Sequence, residues 1–227
     1  MDLSPQHLWA VMGAPAKAIF VLLLIMLVWS SYVGIERLIA FLRARGQSRA
    51  LAEAIAKPLS TGDMDGSLKV VNDEAYKLAY LGTVIRTGLS EYKARPDHHG
   101  IEAMKRGLER VALTEAASLR KGMNVLATTG STAPFVGLVG TIFGIINAFS
   151  MMSAEGGADL TAISGGIAEA LVSTAFGIAV AIAAIWLYNY FNAIIDDIAK
   201  DMTTSIGELI DWAEKDALRR SESQAAK

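Results

Sequence analysis

No lysine or arginine occurs between Lys121 and Lys200, although the chain of 227 residues holds 21 of them. Two apolar runs, at about 134–152 and 165–190, fill that interval and flank a short loop carrying Glu155 and Asp159. Each run is close to the ~20 residues a helix needs to cross a hydrocarbon core of ~30 Å. The pattern predicts a helical hairpin in a membrane. Over the whole chain 52% of residues are hydrophobic, more than in most soluble domains.

A third apolar run covers about 18–35. Only Lys17 precedes it as a basic residue, and Trp29, Tyr32, Glu36 and Arg37 follow where a secretory signal would have a small-residue cleavage site. The run is therefore expected to be a retained first span, with Trp9 at the outer interface. Charge sets the orientation. Arg37, Arg43, Arg45 and Arg49 crowd the exit of the first span. Arg110, Arg120 and Lys121 precede the second, and Lys200, Lys215, Arg219 and Arg220 follow the third. By the positive-inside rule the N-terminus and the short loop lie outside, and the basic segments and the C-terminus lie inside. Trp186, Tyr188 and Tyr190 fit an aromatic belt at the inner interface.

The inner segments are helical in character. The stretch 37–57 is expected to stop at Pro58, followed by a turn and a second helical stretch over 67–92. His98 and His99 fall in a turn flanked by Pro96 and Gly100, where a solvated loop is favoured over a ligand or a pH sensor. From Ile101 the apolar spacing runs on into Val125 and Leu126, so the second spanning helix is expected to begin deep on the inner side. Pro134 is a place for a kink. The third helix continues below the membrane over 192–215, with fraying from Ser221.

One acid breaks the apolar rule. Glu169 stands inside the last run, and a carboxylate at membrane depth is costly unless it faces water or a partner. Around it Gly166, Ala170, Thr174, Gly177, Ala181 and Ala184 recur at three- and four-residue steps, a stripe of small side chains on one helical face. Glu169 and Ser173 border that stripe. Gly137, Thr141, Gly144 and Ala148 repeat the device in the preceding run. Gly137, Gly144 and Gly177 are expected to serve close helix packing, while Thr141, Glu169, Ser173 and Thr174 are candidates to line an ion path. Packing alone accounts for either threonine taken singly, since such hydroxyls usually satisfy themselves on the preceding turn. Asn147 either bonds across helices or lines a wet lumen, and the sequence leaves both open.

At these residues the chain resembles the MotA/TolQ/ExbB proton-channel family, most of all its ExbB and TolQ branch. The segments that carry the resemblance are STAPFVGLVGTIFGIINAF (131–149) and GIAEALVSTAFGIAVAIAAIWLY (166–188). The resemblance implies a three-span inner-membrane subunit that forms a pentamer around a dimer of a single-span ExbD- or TolR-like partner, which proton flow drives. It also implies pore roles for Thr141, Glu169 and Thr174, and places the essential titrating Asp on the partner. The expected layout is a periplasmic segment over 1–17, a first span over 18–35, a cytoplasmic helical region over 36–127 and a second span over 128–152. A periplasmic loop over 153–162, a third span over 163–191 and a cytoplasmic C-terminal helix and tail over 192–227 complete it. The predicted fold is all-α, a ring-forming homo-oligomer with its first span turned to lipid.

Other classes find little footing. A net charge of −2 gives no reason to expect nucleic acid, and the absence of cysteine excludes disulfides and thiolate metal sites. Three scattered histidines make no metal cluster. The glycines of GLVGTIFG lie inside a spanning run rather than between strand and helix, so they form no phosphate loop. No catalytic constellation or cofactor site is apparent, and a non-enzyme powered by a transmembrane ion gradient is expected. A non-conducting scaffold is an alternative, and a solute transporter is a weaker one because three spans carry no internal repeat. TonB-type uptake, Tol-type envelope maintenance and gliding motility stay undivided, as do protons and sodium.

Overall fold

The computed structural model describes Trp9, residues 12–154 and residues 160–225. Among these there are only helices and their connecting turns. In chain order they are α1 (Ala14–Ser60), α2 (Met64–Val71), a single 3-10 turn (Glu74–Tyr76), α3 (Tyr80–Ala94), α4 (His98–Leu119), α5 (Met123–Ala154) and α6 (Leu160–Ala225). Three of them, α1, α5 and α6, are long and apolar enough to cross a membrane. The chain is an all-α membrane protein with three spanning helices, as its apolar runs predict. The loop acids Glu155 and Asp159 lie outside the described residues.

The chain divides into two compact units, residues 1–36 with 122–190 and residues 37–121 with 191–227. In the first, α1, α5 and α6 pack around Leu23, Ala133, Val180 and Ala181, with Ile19, Met26, Leu27, Val136 and Phe176 against them. Phe20 stacks on Phe176 at 4.8 Å, Trp9 meets Phe20 edge-on at 6.3 Å, and the Lys17 ammonium lies 5.7 Å from the Trp9 ring. Pro134 lies inside α5, which is helical on both sides of it. Outward faces carry large apolar side chains, with Tyr32, Phe135 and Trp186 all more than two-thirds exposed. Among lipid tails such faces cost nothing, because the tails are as apolar as leucine.

In the second unit α3, α4 and α6 meet at Gly88, where a Cβ would lie 2.6 Å from Leu209 Cδ2 and 3.2 Å from both Leu108 and Met104. Phenols tie α3 to α6: Tyr80 Oη donates to Asp201 at 3.0 Å and Tyr92 Oη to Asp216 at 3.0 Å. Burial first, and the neighbouring carboxylate second, push each phenol up to about 12. Trp212 packs edge-on against Tyr92 at 5.8 Å and donates its Nε1–H to Leu59 O at 2.8 Å. Arg45 pairs with Asp197 at 3.1 Å and Arg120 with Asp196 at 3.6 Å.

Several boundaries differ from the sequence expectation, each for a local reason. Instead of stopping at Pro58, α1 runs to Ser60. Thr61 N–H closes on Lys57 O at 3.3 Å and Asp63 N–H on Pro58 O at 3.0 Å, before Gly62 turns left-handed at φ 74°. The stretch over 67–92 is not one helix, because Asp73 draws Ala75 N–H to its side chain at 2.9 Å and opens the 3-10 turn. Two α1 side chains then serve the start of α3, Gln47 accepting from Leu78 N–H at 2.7 Å and Ser48 from Leu81 N–H at 3.4 Å. His98 and His99 do not sit in a loop. They open α4 behind Asp97, whose carboxylate accepts Gly100 N–H at 2.8 Å and is held below the usual carboxylate range chiefly by that bond. Nor does α4 run on into α5: Gly122 adopts φ 83° and separates them. At the other end α6 continues past Ser221 to Ala225.

Candidate functional site

The two small-residue stripes lie against each other within one copy. A Cβ on Gly137 would stand 2.9 Å from Ser173 O and 3.1 Å from Thr174 Cα, and one on Gly177 would stand 2.6 Å from Ala133 O. One on Gly144 would meet Ala170 Cβ at 2.7 Å. Only residues without a side chain allow α5 and α6 this approach. The glycines are consumed inside the copy, which leaves the hydroxyls at the edge of the seam for anything beyond it.

Those hydroxyls form one cluster. Thr141 and Thr174, both half-buried, hydrogen-bond to each other across the helices. Thr141 Oγ1 also lies 3.3 Å from Gly137 O, one turn back, and 3.3 Å from Ala170 O on α6. Thr174 Oγ1 reaches the same Gly137 carbonyl at 3.1 Å. Each threonine has a single proton to give, so the acceptors outnumber the donors and more than one arrangement of the bonds is available. Such a pair has the chemistry to order or hand on hydrogen bonds without titrating itself.

Ser173 is turned elsewhere. It is 1% exposed, and its Oγ has no partner among the described residues. It lies over Gly140, where a Cβ would be 3.0 Å from Ser173 Cβ and 3.0 Å from Ile19 Cγ2. Glu169 belongs to α6, one turn before Ser173, and its side chain lies outside the described residues. Asn147 stands against Gly13, whose Cβ would be 3.2 Å from its amide carbon. Among the described residues no group of three His, Asp or Glu side chains could hold a metal ion.

The sequence did not point to the meeting of Thr141 with Thr174. Its signal is that each threonine stands one turn from a seam glycine, Gly137 before Thr141 and Gly177 after Thr174. The Tyr80–Asp201 and Tyr92–Asp216 pairs left no local trace either, since their partners are more than a hundred residues apart.

Comparison with known proteins bears on the same helices. A family model described as the MotA/TolQ/ExbB proton channel family matches residues 77–204, more than half of the chain. A "Biopolymer transport protein ExbB" of Pseudomonas putida is 30% identical over 233 residues, covering 99% of this chain and 68% of its own length. Another protein of that name, from Xanthomonas campestris pv. campestris, is 39% identical over 111 residues, 49% of this chain and 44% of its own. The chain thus spans less than half the length of the Xanthomonas relative. A "Tol-Pal system protein TolQ" of Pseudomonas aeruginosa is 39% identical over 116 residues, 48% of this chain and 50% of its own. With its family match crossing the threonine seam and its likeness extending along nearly the whole sequence, this chain belongs to the MotA/TolQ/ExbB proton channel family.

Proposed function

We propose that the chain is the channel subunit of an inner-membrane motor that uses the proton motive force to energise an envelope process. The observation that carries this reading is the Thr141–Thr174 pair, two hydroxyls joined across spanning helices on a shared Gly137 carbonyl. A hydroxyl pair in otherwise apolar helices suits water ordering or proton handover, in addition to bonding α5 to α6. The pair supplies no titrating group, so the carboxylate for a relay comes from a partner, a single-span ExbD- or TolR-like helix. The subunit works as a homo-oligomer, a pentamer around a dimer of that partner, with the first span toward lipid. Thr141 and Thr174 face the partner's acid, and Glu169 attracts cations to the mouth of the path or holds a polar group across subunits. The N-terminus lies in the periplasm and the C-terminus in the cytoplasm, and the protein performs no covalent chemistry.

TonB-type uptake and Tol-type envelope maintenance are the favoured processes, because the similar proteins carry ExbB and TolQ names. The test is proton uptake by liposomes holding the chain with and without its co-purifying single-span protein. Uptake that requires both is expected. No uptake in either case overturns the channel reading in favour of a non-conducting scaffold.

A further inference from the structure

In the first unit α1 and α5 leave a groove of about 410 Å³, lined by Ile25, Met26 and Trp29 from one helix and Asn124, Val125 and Thr128 from the other. That volume is far above the ~30 Å³ share of a single water and takes a bulky side chain. Most of the lining is apolar, and the exposed Asn124 and Thr128 add an amide and a hydroxyl. The α5 wall of the groove faces away from α6. Gly130 lies against Ile185 of α6, and Thr128, two residues earlier, stands about 160° round the helix from it.

The opposite flank of the same copy carries a matching projection. Trp186 is 73% exposed. It is nine residues from Gly177, which meets Ala133 and Gly137 of α5, and so points about 180° away from that contact. Its two neighbours in sequence fix its level: Ile185 lies against Gly130 of α5 and Leu187 against Gly34 of α1. Along the axes Thr128 is about 3 Å to one side of that level and Trp29 about 7.5 Å to the other. Groove and tryptophan therefore share one membrane depth. Copies arranged around an axis along the membrane normal meet at points of equal depth, and a head-to-tail contact of two different surfaces is the kind that closes into a ring. The chemistry matches as well. An indole is a large apolar body with one N–H that needs an acceptor when buried, and the groove is an apolar trough with acceptors at Asn124 and Thr128. A lipid tail fits the trough but makes no use of them. One tryptophan covers about 150–250 Å² of the ~800 Å² per partner in a standard interface. The rest comes from the same face of α5 further along, where Leu138, Ile142 and Ile146 are exposed.

We propose that Trp186 of one copy seats in the α1–α5 groove of the next, with its Nε1–H donated to the polar side chains at Asn124 and Thr128, and that this contact anchors the interface between copies. The inference deepens the homo-oligomer of the proposed function and rests on that part of it alone.

The cysteine-free chain makes the test direct, and thiols beside the contact leave its own side chains in place. Ile25→Cys lies on the groove, and Ile182→Cys is one turn from Trp186 on the same face of α6. Membranes holding the full-length double variant are treated with a short bifunctional thiol reagent and run on a denaturing gel. A ladder of linked copies is expected from the double variant and monomer from each single one, because the contact joins unlike surfaces. Linking of the Ile182→Cys variant to itself overturns the proposal. So does an unlinked double variant whose oligomer persists in native mass spectrometry, a result that leaves the ring standing. A monomer in both measurements removes the ring and the contact together. Trp186→Ala, in the otherwise unchanged chain, should weaken association in detergent about tenfold or more, as for an interface anchor, and Trp186→Phe, which keeps the apolar body, should weaken it less. Unchanged association in Trp186→Ala marks a residue of the membrane–water interface, with lipid in the groove, and overturns the proposal. None of these readouts depends on proton flux, so they stand or fall apart from the channel reading.

Discussion

A threonine in a spanning helix usually bonds to its own preceding turn, and Thr141 does so at Gly137 O. What sets it apart is that Thr174 uses the same carbonyl from the neighbouring helix. Thr141→Val and Thr174→Val keep the side-chain shape and remove one hydroxyl each. Partner-dependent proton uptake should fall by about tenfold or more in either variant, as when a positioned donor is lost from a charge-transfer path, while size-exclusion profiles stay unchanged. Wild-type uptake in both would remove the seam from the mechanism. Glu169→Gln separates charge from helix cement: the amide still hydrogen-bonds, so lost flux with an intact oligomer points to the charge. At Gly177 even one carbon is too many, because the Cβ would stand 2.6 Å from a backbone carbonyl. Gly177→Ala should lower stability by about 1–3 kcal/mol through forced separation of α5 and α6, read as a drop in the detergent melting midpoint. The candidate residues were legible as types at helical spacing, but not in their partners. Ser173 and Thr174 are neighbours in sequence, yet a 100° step on the helix sets Ser173 over Gly140 and Thr174 onto Thr141 and the Gly137 carbonyl.

The three spans were legible at the scale of elements, because apolar length is a local property. The turns were harder. Gly122 directly follows Arg120 and Lys121, but the apolar spacing on either side of it has the period of one continuous helix. Its φ of 83° is one that side chains with a Cβ rarely adopt. Gly122→Ala should therefore cost roughly 1–2 kcal/mol, visible as a lowered midpoint, whereas Gly46→Ala, in a helix with open space around it, should be neutral or stabilising. The phenol bonds of Tyr80 and Tyr92 give a pH dependence of definite sign. Their folded values of about 12 lie above the ordinary value of 10.0. The contribution is thus fully present below pH 10 and is lost as pH rises through about 12. Chemical denaturation of the wild type should show stability falling across that window, with a shallower fall in a Tyr80→Phe, Tyr92→Phe double variant. An identical slope in both would exclude the phenols as the cause.

For the whole molecule, the orientation and the ring are the open propositions. Cysteines at Gly157 and Asp97 should label from opposite faces of the membrane, and labelling of both from one face would overturn the three-span topology. Native mass spectrometry in mild detergent is expected to find a pentamer; a stable monomer throughout would sink the ring. Since α5 and α6 spend their glycines on each other, the faces left for neighbouring copies are bulky and apolar, including Leu138, Ile142 and Ile146. Charged replacements there, such as Ile142→Lys, should disturb assembly more than Thr141→Val does.

The length of α6 has a mechanical meaning. Its 66 residues run from Leu160 to Ala225 as one helix, about 100 Å at 1.5 Å per residue, with no proline to break the ladder of hydrogen bonds. A rod of that kind resists twisting, because turning one end relative to the other strains every bond between. Within the second unit, a torque applied at Phe191 would therefore arrive at Trp212 as rotation rather than be lost in a bend.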